Sequence, residues 1–177
     1  ETKLLNCIYH HNRESLSQLA KHSGLSRKKV TYNLNKFLKK GIIKKFFPVV
    51  NYSKLGYKNF TIMLIKFTKP KYIEDFKKEH KRDSSWTSRG NVYGKYDIFI
   101  NLIFKDEKER NEYLFSLFSK NRDKISDHIV LEPYFSELFP LKFLESKKEN
   151  SFVLIESSSK SITLDEKEKK ILKALEK

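Results

Sequence analysis

Between residues 15 and 30 the chain reads Leu19-Ala20-x-x-x-Gly24-Leu25-Ser26-x-x-x-Val30, a spacing that leaves little conformational choice. Ser15 followed by Gln18 is a capping box, so a short helix starts there and turns Leu16, Leu19 and Ala20 to one side. Gly24 stops it, because only glycine takes the left-handed conformation without a Cβ penalty. Leu25 fills the corner, and Ser26 caps a further helix over 27–40. Ala20 lies where the two helices cross, and a larger side chain there would hold them apart. Upstream, Leu4, Leu5, Cys7 and Ile8 share one face of a helix over 2–11, and 12–14 break that pattern. Three helices with a tight corner between the second and third follow from these residues.

The helix over 27–40 has two unlike faces. Val30, Leu34, Phe37 and Leu38 recur at i, i+4, i+7 and i+8 and form a stripe expected to be buried. Lys28, Tyr32, Asn35, Lys36 and Lys39 lie opposite, with Arg27, Lys29 and Thr31 at the margins. Cations, hydroxyls and amides on an exposed helix face are what reading base edges in a major groove requires. Residues 1–50 carry 11 Lys and Arg against 2 acids, whereas 51–144 carry 18 against 13 and 145–177 carry 8 against 7. Most of the chain's net charge of +15 therefore sits on the three-helix segment, the footprint expected for double-stranded DNA. Ser26, Arg27, Lys28, Lys29, Thr31, Tyr32, Asn35 and Lys36 are the expected DNA contacts. After Gly41, Ile42 and Ile43 are expected to begin a strand that places Lys44 and Lys45 on a wing against the phosphates.

The middle of the chain changes period. Residues 60–67 and 98–104 are apolar, β-branched and aromatic runs of strand length, expected to be central in a sheet and buried on both faces. Between them lie an amphipathic helix over 71–82, with Tyr72, Ile73 and Phe76 inward, and a polar strand over 87–93. Asp106 with Glu109 opens another helix carrying Tyr113, Leu114, Leu117 and Phe118. A last strand over 128–135 contains Pro133, which places it at an edge. The order βαββαβ gives an α+β, ferredoxin-like arrangement. Two helices cover one face of such a sheet, so the other, still rich in Phe, Ile and Leu, is expected to meet a second copy of the chain.

These stretches together resemble the leucine-responsive/AsnC, or feast-or-famine, family of transcriptional regulators, in its archaeal form. The resemblance rests on LSQLAKHSGLSRKKVTYNLNKFLKKGIIKKF at 16–46, on VVNYSKLGY at 49–57 and on NVYGKYDIFINL at 91–102. It implies a winged helix-turn-helix over 1–50 and a ferredoxin-like sensing domain, the RAM domain, over 51–144. It also implies homodimers or larger assemblies, and an amino-acid effector held near Gly94-Lys95-Tyr96-Asp97. The same plan resembles siroheme decarboxylases, and the charge alone also suits a sequence-tolerant architectural protein. The segment LDEKEKKILKALE at 164–176 is similar to the family's first helix. It reads as the start of a second, truncated helix-turn-helix over 163–177, joined by a linker over 145–162. A PLKFL segment at 140–144 fits that plan.

Little points to catalysis. His10, His11, His22, His80 and His128 show no metal-ligand spacing, the single Cys excludes a Cys-based zinc site or a disulfide framework, and no metal or cofactor is expected. Gly90 and Gly94 flank a turn rather than cradle a phosphate, and Glu107, Glu109 and Glu112 read as a solvated helix face. Trp86 reads as a core or dimer-contact aromatic. No run approaches the ~18 apolar residues of a membrane span, and the expected setting is cytoplasmic and nucleoid-associated.

Overall fold

A computed structural model describes residues 1–11, 13–46, 49–139, 152–156 and 160–175, and these form two compact units. The PLKFL segment at 140–144 and most of the linker over 145–162 lie outside the described residues.

The first unit is built on three helices, α1 (Thr2–His10), α2 (Leu16–Ser23) and α3 (Arg27–Lys39). Ser15 accepts from the Gln18 N–H while the Gln18 side chain accepts from the Ser15 N–H, so the capping box is complete. Gly24 ends α2 at φ 68°, and the Leu25 N–H reaches back to the Ala20 carbonyl. Leu4, Ile8, Leu19, Val30 and Phe37 are buried together, with Ala20, Leu25, Leu34 and Ile43 against them. Burying each of these large side chains contributes about 1.5–3 kcal/mol. Leu38 departs from its expected place and is 44% exposed. Eight residues on from Val30 it is rotated by about 80°, at the rim of the stripe rather than within it.

The expected wing strand is also absent: residues 42–46 are not a strand. The N–H groups of Ile42 and Ile43 both donate to the Phe37 carbonyl, at 2.9 and 3.2 Å, so the stretch meant to begin a strand closes α3 instead. This unit also contains α6 (Glu166–Leu175).

The second unit carries a four-stranded antiparallel sheet in the order β2-β3-β1-β4, from β1 (Asn59–Phe67), β2 (Trp86–Asn91), β3 (Ile98–Phe104) and β4 (Ile125–Leu131). Helices α4 (Lys71–Glu79) and α5 (Glu107–Lys120) follow β1 and β3 and complete the βαββαβ order. The two apolar runs are the central strands, as their composition demands. β4 ends at Leu131, two residues short of Pro133, because proline cannot donate to the ladder.

Burial alternates along β1, and along β3 as far as Leu102, after which Ile103 on the open face is buried as well. Met63, Ile65, Phe67, Ile98, Ile100, Leu102 and Phe104 are buried with Phe76 of α4 and Leu117 of α5. Phe60, Ile62, Leu64 and Phe99, which point the other way, are only half-buried, so the expectation of two fully covered faces fails within one chain. On the open face Leu64 pairs with Ile129, and Ile62 with Leu131, both exposed on β4.

A further pair, β5 (Phe135–Leu138) with β6 (Phe152–Glu156), was not expected. β6 falls inside the stretch read as linker. It is anchored by Ile155, which is buried, and by Glu156 N–H donating to Ser53 Oγ and Tyr52 N–H to the Leu154 carbonyl.

Candidate nucleic-acid interface and sheet-end cluster

Helix α3 is positioned by its buried stripe, and the rest of its surface is set by that choice. Ser26 is the N-cap and accepts from the Lys29 N–H, so its oxygen is partly committed to the helix although the residue is exposed. Arg27, Lys28, Lys29 and Asn35 are exposed, and Tyr32 is 69% exposed, unusual for a ring of that size. Four cationic or amide side chains and a phenol thus share one uncovered surface. Thr31 and Lys36 are less available. The Thr31 hydroxyl donates to the Arg27 carbonyl at 3.0 Å, and Lys36 is ion-paired with Glu1. That pairing raises the Lys36 pKa and lowers that of Glu1, each through the mutual hydrogen bond first and charge second. Lys44 and Lys45 are exposed on the non-strand segment after α3.

The turn at 92–97 lies at one end of the sheet of the second unit. Gly94 takes φ 123°, a value L side chains rarely adopt, and neighbouring Tyr93 projects fully into solvent. Asp97 was expected to face an effector, but both its carboxylate oxygens already accept hydrogen bonds, from Lys66 Nζ and from the Phe67 N–H, each at 2.8 Å. Partial burial pushes its pKa up, and these two donors more than reverse that, leaving it below the ordinary carboxylate value. Lys95 pairs with Asp127 of β4 at 2.8 Å and stands over the Tyr96 ring, whose O–H is 3.5 Å from the same carboxylate. Lys66, Asp97, Lys95 and Asp127 therefore alternate in sign across one sheet end. A zwitterion has complementary partners there, at the cost of opening existing pairs.

Elsewhere Trp86 donates from Nε1 to the Tyr113 hydroxyl at 2.7 Å, Tyr113 donates to Asp83, and the indole stacks on His80. Burial first, then the Asp83 hydrogen bond, pushes the Tyr113 pKa far up. Trp86 is a core-side anchor of β2. One grouping had no signal in the sequence: His11, Glu14 and His22 converge at the corner between α1 and α2. Among the described residues no helix is long and apolar enough to cross a membrane.

Residues 1–44 match a family model described as winged helix-turn-helix DNA-binding. An HTH-type transcriptional regulator of Pyrococcus furiosus is 28% identical over 133 residues, which is 75% of this chain and 89% of the relative. Two solved structures share the fold. Escherichia coli AsnC aligns with a TM-score of 0.65 at 20% identity, covering 75% of this chain and 88% of that one. A Neisseria meningitidis transcriptional regulator solved as an L-Met complex aligns at 0.67 and 14% identity, covering 75% and 86%.

Proposed function

We infer that this chain is a DNA-binding transcriptional regulator of the AsnC/Lrp type, reading its sites through α3. The observation that carries this is the uncovered face of Arg27, Lys28, Lys29, Tyr32 and Asn35 on a helix locked by Gly24 and Ser26 in a segment matching a winged helix-turn-helix. Arg and Asn offer bidentate pairing to guanine and adenine edges, and the surrounding lysines supply phosphate affinity. Ser26, Thr31, Lys36, Lys44 and Lys45 serve the backbone in this reading. The siroheme-decarboxylase and architectural readings find no comparable support, since the relatives found are named as transcriptional regulators.

The working unit is a homodimer closed over the open sheet face. Phe60, Ile62, Leu64 and Phe99 are half-buried there while Ile129 and Leu131 are exposed, an apolar surface that a second copy would cover. A two-fold dimer presents two α3 helices, so the recognised sites should be two-fold symmetric. The sheet end around Gly94, Lys95, Tyr96 and Asp97 is the place for an amino-acid effector, whose carboxylate would meet Lys95 or Lys66 and whose ammonium would meet Asp127 or Asp97. The similar fold solved as an L-Met complex supports an amino acid as the class of ligand. We further propose that 163–177 begins a second helix-turn-helix, α6 being its first helix.

Selection of bound fragments from genomic DNA by the full chain tests the reading. Enrichment of a two-fold symmetric motif is expected. Recovery of fragments in proportion to their abundance would overturn it.

A further inference from the structure

His11, Glu14 and His22 come from three places that the fold must bring together. His11 follows the last turn of α1, Glu14 sits in the connection, and His22 is in the last turn of α2. The Glu14 N–H donates to the His11 carbonyl at 3.1 Å, which holds the carboxylate over the end of α1. His11 Nδ1 lies 2.9 Å from Glu14 Oε1, and His22 Nε2 lies 3.0 Å from Glu14 Oε2. The two imidazoles stack face to face, with centroids 4.3 Å apart and planes 5° from parallel. One potential ligand atom from each of the three residues lies within 4.8 Å of the other two.

A second observation points to a cation. Glu14 Oε2 is sealed from solvent and makes no hydrogen bond, although a ring nitrogen is 3.0 Å away. The His22 nitrogen is a close charge partner for Oε2 but makes no hydrogen bond to it, and an ion placed between that oxygen and the two ring nitrogens would satisfy all three. The side chains remain 28–44% exposed, so an ion can enter and solvent can complete the coordination. Cys7 does not contribute, because its thiol faces the Leu19 carbonyl at 3.7 Å. Two imidazoles and one carboxylate with an open fourth position suit a borderline transition metal rather than calcium or magnesium, which prefer all-oxygen shells.

We propose that His11, Glu14 and His22 form a zinc-class metal site that pins α1 to α2 beside the DNA-reading helix. A metal bound there crosslinks two helices of a small unit and stabilises it by mass action.

Calorimetric titration of Zn²⁺ into the chelator-treated, untagged full chain, with thermal melts alongside, tests this. One Zn²⁺ per chain and a melting temperature raised by Zn²⁺ are expected. Glu14→Gln and His22→Gln, both at partly exposed positions, should weaken binding at least about tenfold and abolish the Zn²⁺-dependent shift. Circular dichroism of each variant without metal checks that it is folded. No saturable binding by the wild type would overturn the site. So would wild-type Zn²⁺ affinity in both variants, which would place the ion elsewhere, or variants that melt differently from wild type while Zn²⁺ shifts neither them nor the wild type, which would make the cluster a proton-bridged one.

Discussion

Single residues fix the geometry at several points, and each has a measurable consequence. A Cβ on Gly90 would stand 2.4 Å from Cε1 of Phe99, its cross-strand partner on the open face. Gly90→Ala must therefore displace that ring, and we expect a loss of about 1–3 kcal/mol in chemical denaturation together with weaker dimerisation. Unchanged stability and association would show that the ring moves aside freely. Asp97 is the second point. Its folded-state pKa lies below the ordinary value, so its contribution to stability is fully present above that ordinary value and is lost as pH falls through the depressed one. Asp97→Asn should thus be less stable than wild type near neutrality and converge with it in acid, as read by melts across a pH series. Parallel curves would contradict the clamp on Lys66 and Phe67. Local signals such as Ser15, Gln18 and Gly24 were legible in the sequence because each acts within one helical turn. The His11, Glu14 and His22 grouping was not, since the chain leaves α1 before Glu14 and enters α2 before His22, so the three meet only through a tertiary corner.

Among the elements, α3 makes the sharpest claims. Asn35→Ala and Arg27→Ala should each cost about 1–3 kcal/mol on a selected site and relax base preference locally. Lys44→Ala should weaken selected and random duplexes alike and reduce the slope of log affinity against log salt by about 1. Binding isotherms on both duplexes at several salt concentrations separate the two. Equal losses for Asn35→Ala on both would remove it from base reading. The apolar runs of β1 and β3 announced central strands because length, β-branching and position agreed. β6 was hidden because FVLIE is short, lies in Ser- and Lys-rich surroundings and has its partner β5 well upstream. The strand expected after Gly41 is missing from residues 42–46 for a different reason. Ile42 and Ile43 have strand propensity, but the Phe37 carbonyl in the last turn of α3 accepts from both of their N–H groups.

For the whole molecule, the proposed function assigns the DNA contact to the basic first unit and the pairing of copies to the sheet of the second. Sedimentation of the full chain should give a dimer at micromolar concentration, and Leu64→Glu, which puts a charge at the centre of the open face, should give a monomer with the chain still folded. A wild-type monomer would refute the interface while leaving α3 untouched. Whether the dimer reads sequence is decided by titrating the full chain against its selected site and a shuffled duplex of equal length in the same buffer. A preference of about a thousandfold or more for the selected site is expected. Affinities within about tenfold of each other would contradict it and leave only charge-driven binding.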